Sequence, residues 1–425
     1  MRVLIFIYNL IIFPLSIVYL FYKFIKNKAD TNLLKERMGI YCLTPSSGRR
    51  IWIHCSSVGE VILLEPLLSA MSKLLPAENI VITTVTETGK EEAKRRYKDI
   101  QNIFLAPVDF WLFVWNGMRR IAPLSVIVIE TELWPSFMYL SSLRADKFFL
   151  VNGRMTSSSF RWYNIVKWFF GPLIDGFDAI VIQTDEDMKR FSDLKGHSER
   201  LFVAGNLKFD ASLSNSLNNI DPTLKRVLDT RMLVIAGSTH AGEEEIIVNL
   251  FCKLKDAVPD FKLVIAPRHT ERVGEVESIL KARDINYLKR SSINSGGDSN
   301  CNVVLLDTIG ELNALYSLAA VVFIGGTLVP VGGHNVIEPA LHGKPVVFGP
   351  HYNNFKEACT LLIDYNGGLC VKDESEFFDV IRKLLLDNNL RENMGRNAKN
   401  AVEGQIGTTQ RTMKIIGKYL RSGRV

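Results

Sequence analysis

A chain of 425 residues is too long for one ordinary core and fits two domains of usual size. Its 47% hydrophobic and 23% charged residues are the proportions of a folded globular protein. The net charge of +6 and pI near 8.9 favour an anionic ligand or a membrane surface. The absence of an arginine-rich block or an aromatic-interleaved basic stripe argues against nucleic acid.

The first element is the apolar run Val3 to Tyr22. Twenty helical residues span about 30 Å, the thickness of the hydrocarbon layer. Lys23, Lys26 and Lys28 follow at once, so the positive-inside rule places the downstream body in the cytoplasm, behind a single-pass anchor at residues 1–27. A cleaved signal peptide would need small residues near its end, and the bulky Phe21, Tyr22, Phe24 and Ile25 stand there instead. The same aromatics and lysines also suit a helix lying in the membrane interface, and a buried core helix is a third reading.

From about residue 50, short apolar runs alternate with helical segments. Ile51–His54, Ile80–Thr84, Val126–Glu130, Phe148–Asn152 and Ala179–Gln183 read as strands, with helices over Val61–Leu75 and Gly89–Tyr97. Polar alternation is missing from these runs, as expected for parallel strands covered on both faces. Ala211 to Thr223 is rich in Ser and Asn and reads as a linker. The alternation then restarts with Leu233–Ala236, Lys262–Ala266, Val303–Leu306, Val321–Ile324 and Pro345–Phe348. The expected division is a doubly wound domain at 28–210, a linker at 211–230 and a second doubly wound domain at 231–425. In such sheets ligands bind beyond the carboxyl ends of the strands.

The six cysteines are scattered without CxxC spacing, which argues against zinc and against a disulfide framework. Candidate chemistry falls at the strand ends. Ser57-Val58-Gly59-Glu60 opens a helix with a carboxylate on its first turn, where the helix dipole is expected to hold it ionised. The same four residues fit a capping box, as do Thr308–Glu311 and Asn335–Glu338. Glu130 and Glu132 pair two carboxylates at a strand end, the arrangement glycosidic chemistry uses, although a solvated loop anchored by Trp134 is the alternative. Arg268 and His269 follow a strand, where an arginine suits a phosphate. Gly325-Gly326 and Gly332-Gly333 allow close backbone approach to a ligand.

Together these segments resemble the 3-deoxy-D-manno-octulosonic acid (Kdo) transferases of Gram-negative bacteria. The resemblance runs through Glu36-Arg37-Met38-Gly39, the Ser-Val-Gly-Glu loop, Glu130-Thr131-Glu132-Leu133-Trp134-Pro135, Gly205 to Asp210, Ala236 to His240, Pro267-Arg268-His269 and Gly332 to Ala340. Cys55 and Met38 depart from the pattern at positions without an assigned role. The resemblance implies an α/β GT-B fold of two Rossmann-like domains facing a cleft. It implies an inner-membrane enzyme that moves Kdo from CMP-Kdo to the lipid A precursor, lipid IVA, with inversion and with neither metal nor cofactor. It implies Glu60 as general base, with Glu130 and Lys208 steadying the transition state. Arg268, His269, Ile309, Gly310, Glu311, Asn335, Val336, Ile337 and Glu338 are implied as CMP contacts. Another GT-B nucleotide-sugar transferase or epimerase, and a non-catalytic lipid-binding relative, remain the alternatives.

Overall fold

The computed structural model describes residues 1–26, 30–195, 199–214, 220–229, 232–258, 260–295 and 301–421. It separates into two units, one formed by Met1–Ala211 with Gly407–Val425 and the other by Ser212–Ile406.

The first unit holds β1 (Arg50–Cys55), β2 (Ile80–Thr84), β3 (Ile103–Leu105), β4 (Pro123–Ile129), β5 (Lys147–Gly153), β6 (Ala179–Ile182) and β7 (Leu201–Val203). All pair in parallel, in the order β3-β2-β1-β4-β5-β6-β7. The strand order reverses between β1 and β4, so the loops leaving these two strands diverge and open a crevice at their carboxyl ends. The unbroken apolar runs have a direct cause. Trp52, Val126, Val128 and Phe148 pack on one face of the sheet, and Ile51, Ile53, Ile127 and Phe149 pack on the other. Successive side chains point to opposite faces, and both faces are covered.

The second unit repeats the plan with β8 (Met232–Thr239), β9 (Phe261–Pro267), β10 (Tyr287–Lys289), β11 (Val303–Leu305), β12 (Val321–Ile324), β13 (Val346–Phe348) and β14 (Gly368–Cys370). These strands are also all parallel, in the order β10-β11-β9-β8-β12-β13-β14. Its reversal lies between β8 and β12.

Four boundaries differ from the sequence reading. The helix expected over Val61–Leu75 runs Val58–Met71, and the one expected over Gly89–Tyr97 runs Glu87–Arg96. The 211–230 segment expected as a linker contains the helix Pro222–Val227, started by Asp221, whose carboxylate accepts the amides of Thr223 and Leu224; residues 215–219 and 230 lie outside the described residues. The C-terminal helix Thr408–Arg421 was expected with the second domain but belongs to the first unit. Asp210 explains its return. Its carboxylate accepts the amides of Gly407 at 2.8 Å and Thr409 at 2.6 Å, while Arg411 donates to the carbonyl of Ala204 at 2.7 Å. Ile416 then joins the core over β1 and β5, and the Tyr419 ring meets Phe149 edge-on.

Candidate active site

In the first unit the helix Val58–Met71 starts directly beyond β1. Ser57 occupies the N-cap position, but its hydroxyl makes no capping bond to the helix. It donates to Oε1 of Glu60 at 3.2 Å, and the amide of Ser56 donates to Oε2 at 2.5 Å. Neither bond of a capping box forms: the carboxylate reaches one residue past the N-cap amide, and the serine turns to serve the carboxylate.

Glu60 is only 6% exposed. Burial pushes its carboxyl up to about 8; Glu130 and Glu132 push the same way, and the Ser56 amide and Ser57 hydroxyl pull against them. This corrects the expectation of a permanently ionised carboxylate. Desolvation and two like charges outweigh the helix terminus, because a helix dipole is worth only about 0.3–1 kcal/mol at ordinary sites. A Cβ placed on Gly59 would meet only Ser57 Oγ, at 3.8 Å, so the chain beside the carboxylate is open to a ligand.

Glu130 leaves β4, the neighbour of β1, with φ of +58°, a left-handed backbone that a residue with a side chain adopts at a cost. Its amide donates to Val151, and its carboxylate lies 3.4 Å from Nε of Arg154. Glu132 accepts the indole N–H of Trp134 at 2.7 Å. The three carboxylates thus cluster where the strand order reverses.

Lys208 follows the edge strand β7, yet it does not stay at the edge. Asn152, at the end of β5, accepts the amide of Leu207 at 2.9 Å, and Gln183 and Asn206 complete the polar seat. That bond draws the start of the helix Leu207–Ser214 back over β5, beside β4.

In the second unit Arg268 and His269 stand just beyond β9, with the Arg268 amide donated to Thr239 at 3.0 Å. The structure adds partners that the residue-by-residue assignment lacked. His240, beyond β8, meets His334 Nε2 to Nε2 at 2.7 Å, their rings stacked within 2° of parallel, and the His269 ring stands edge-on to His240 at 5.9 Å. Burial first, then Arg268 and the other two imidazoles, pushes His334 down to about 4. It is neutral at physiological pH, so one of the facing nitrogens can donate and the other accept.

Glu243 also escaped the sequence reading. Fully buried on the first helical turn after β8, it accepts the amides of His240, Gly326, Thr327 and Leu328 at 2.7–3.0 Å. It clamps the glycine loop after β12 against the site. A Cβ on Gly326 would press on the His240 and His334 rings, which accounts for glycine there. The three consecutive glutamates after Gly242 mark a helix start, but nothing local singles out Glu243 or its distant partners.

Asn335 accepts the amide of Ile337 at 3.0 Å and donates to Glu338 and to Ser212, each at 3.0 Å, so it orients the Glu338 carboxylate. Val336 and Ile337 are wholly buried, and any ligand contact of theirs runs through the backbone. The helix begins at Ile337, and the one after β11 begins at Leu312, so neither capping box forms as drawn. Ile309 is exposed, and Gly310 has open space on its side-chain face. Glu311 is held by Arg290 at 2.7–3.0 Å and by Thr308. No cluster of His, Cys, Asp or Glu suited to a metal ion occurs among the described residues.

The family profile described as 3-deoxy-D-manno-octulosonic-acid transferase (kdotransferase) matches residues 32–211. A 3-deoxy-D-manno-octulosonic acid transferase of Haemophilus influenzae is 31% identical over 413 residues, 96% of this chain and 96% of the relative. One from Rickettsia bellii is 28% identical over 97% of this chain and 96% of its own length. Among solved structures, a putative UDP-N-acetylglucosamine 2-epimerase from Listeria monocytogenes superposes with a TM-score of 0.61 at 14% identity, covering 89% of this chain and 98% of the other. That likeness speaks to the paired α/β fold alone. At 31% identity over 96% of the first of these transferases, the chain belongs to the 3-deoxy-D-manno-octulosonic acid transferase family and is a glycosyltransferase of the GT-B type.

Proposed function

We propose that the enzyme transfers Kdo from CMP-Kdo to the lipid A precursor, lipid IVA, inverting the anomeric carbon without a catalytic metal. The observation that carries this reading is Glu60, a buried carboxyl raised to about 8 beside an open backbone. A base is most effective when its pKa lies near the working pH.

In this reading the acceptor hydroxyl gives its proton to Glu60 as its oxygen bonds to the anomeric carbon of Kdo. The bond from that carbon to the CMP phosphate breaks, and the electron pair leaves with CMP. Glu130 and Lys208 steady the cationic sugar and the departing phosphate. Arg268 and His269 take the phosphate, and the backbone at Ile309, Gly310, Val336 and Ile337 frames the nucleotide. Glu338, oriented by Asn335, accepts ribose hydroxyls, while Glu311 holds its turn in place through Arg290. Donors fixed in place before the reaction lower the barrier most where charge develops, here on the departing phosphate. The helix Arg2–Lys26 associates the enzyme with the inner membrane, its body on the cytoplasmic face, where a phosphorylated amphiphile is met at the lipid surface.

The test is mass spectrometry of the product formed from CMP-Kdo and purified lipid IVA, with and without EDTA. A Kdo adduct in both supports the reading. Loss of turnover in EDTA would overturn the metal-free step, and turnover of a UDP-sugar in place of CMP-Kdo would overturn the donor.

A further inference from the structure

The apolar N-terminal helix carries more polar contacts than an anchor needs. Residues Ile5, Tyr8, Asn9, Ile12, Ser16, Tyr19 and Lys23 share one face of the helical turn and form one stripe along it. That stripe is buried or half-buried along the whole helix, whereas Phe6, Leu10, Ile17, Val18, Phe21 and Ile25 on other faces are exposed.

The stripe is bonded to the body of its own unit at both ends. Tyr8 donates to Asp109 at 2.9 Å. Asn9 donates to Ser136 at 3.0 Å and accepts the amide of Trp111 at 2.6 Å. Fourteen residues further on, Lys23 pairs with Glu87 at 2.8 Å, and Arg37 lies over the Tyr19 ring. Between Asn9 and Lys23 the helix advances about 21 Å. A helix crossing the hydrocarbon along its axis would carry Asp109, Ser136 and Glu87 into lipid or break every one of these bonds. Each broken bond of this kind strands a polar group in hydrocarbon, where it has no water to replace the lost partner.

The exposed side of the helix continues onto its neighbours. Tyr8 touches the Phe169 ring, Phe169 touches Trp168, and Trp168, Trp162 and Ile165 are all exposed. An apolar groove of about 810 Å³ runs between the helix and Trp111, Trp115 and Leu143, with Arg2 and Arg144 among its lining. Tryptophans beside arginines and lysines are the composition of a surface that sits at lipid headgroup level.

We propose that this helix does not span the bilayer but lies in the plane of one leaflet, docked along the body. Its exposed face and the Trp162–Trp168 segment are immersed together in an anionic phospholipid surface. The basic groups meet lipid phosphates, and the chain's amino terminus stays on the same side of the membrane as the body. An apolar face with a charged border binds an anionic interface in this way.

The inference rests on the membrane association proposed above. The experiment uses the whole chain in native inner membranes. Asn9→Cys with Ser136→Cys, treated with a membrane-permeant oxidant, should give a disulfide-linked 9–136 peptide detected by mass spectrometry. In a separate chain, Arg2→Cys should react with a membrane-impermeant maleimide from the same side as native Cys42, which is exposed on the body. Absence of the 9–136 link, or labelling of position 2 from the side opposite Cys42, would overturn the in-plane placement while leaving membrane association intact. Recovery of the wild-type chain in the soluble fraction would overturn the association itself.

Discussion

The amide of Ser56 donates to Oε2 of Glu60 at 2.5 Å, and that bond aims the one strongly perturbed carboxylate of the β1 loop. It fixes the side chain across the first helical turn instead of letting it extend into solvent. In the proposed mechanism, a base held in this way loses little entropy when an acceptor arrives.

Glu60→Gln should keep this orientation through its amide oxygen but cannot take a proton. We expect turnover to fall by at least about a hundredfold with CMP affinity unchanged, measured by product formation and calorimetry. Stability should move the other way. The folded carboxyl is raised from 4.5 to about 8, so its contribution is present below about 4.5 and is lost as pH rises through 8. The melting temperature of Glu60→Gln relative to wild type should therefore climb between pH 5 and 8. A variant that melts lower throughout and turns over normally would make Glu60 a helix cap.

The pH profile of the wild-type enzyme should follow the ionised fraction of Glu60. The rate should rise about tenfold per pH unit below 8 and level off above it. Glu132→Gln removes one of the like charges that raise the group while its amide oxygen still accepts the Trp134 indole. Its profile should shift to lower pH. An unmoved profile would locate the titrating base elsewhere.

Nucleotide binding should depend on Arg268. Truncation to alanine removes a charge-assisted phosphate contact worth about 1.5–3 kcal/mol, roughly ten- to hundredfold in CMP affinity by calorimetry. The same variant removes a cation that holds the His334 imidazole down. Its pKa should rise above about 4, read from ring proton shifts. Glu338→Ala should also weaken CMP. Unchanged affinity in both would return Arg268 to the surface and Glu338 to a local bond with Asn335.

Glu243→Ala should be among the most damaging single changes in the second unit. It leaves the buried amides of Gly326 and Thr327, and the half-buried ones of His240 and Leu328, without their acceptor, at about 1–3 kcal/mol for each buried group left unpaired. Thermal unfolding should report a loss well above the roughly 1 kcal/mol of a typical substitution. A neutral result would mean the glycine loop is held by its own turns.

Asp210→Ala should loosen the C-terminal helix from the first unit. Limited proteolysis should cut first near Gly407, and the early unfolding should include the 50–211 region instead of the 232–406 region. Early loss of the second unit would show the helix to be its own appendage.

The elements that were legible are those whose signal is local. Runs such as Val126–Glu130 and Phe148–Asn152 read as strands covered on both faces, and the strands found there are parallel and buried. Helix starts were less legible. Ser57, Thr308 and Asn335 all fit a capping box, yet two of those helices start later, because Gly310 and Asn335 shape the turn before them. Glu243 was not legible as a clamp. Its partners Gly326, Thr327 and Leu328 lie 83 to 85 residues away, and no local pattern marks such a pairing.

By itself the sequence determined the two-sheet architecture, the family and the strand-end loops that hold the candidate chemistry. Hydrophobic period and glycine placement are written into neighbouring residues, and a family's motifs keep their order along the chain. Three things were left to tertiary structure. Burial, with Glu130 and Glu132 nearby, pushes the Glu60 carboxyl up to about 8 against the pull of the Ser56 amide and Ser57 hydroxyl. Asp210 decided which unit owns the last helix. Asp109, Ser136 and Glu87 decided that the apolar first helix has a body-facing side. Each depends on groups far apart in the chain brought within hydrogen-bond or Coulomb reach, and only folding creates that proximity.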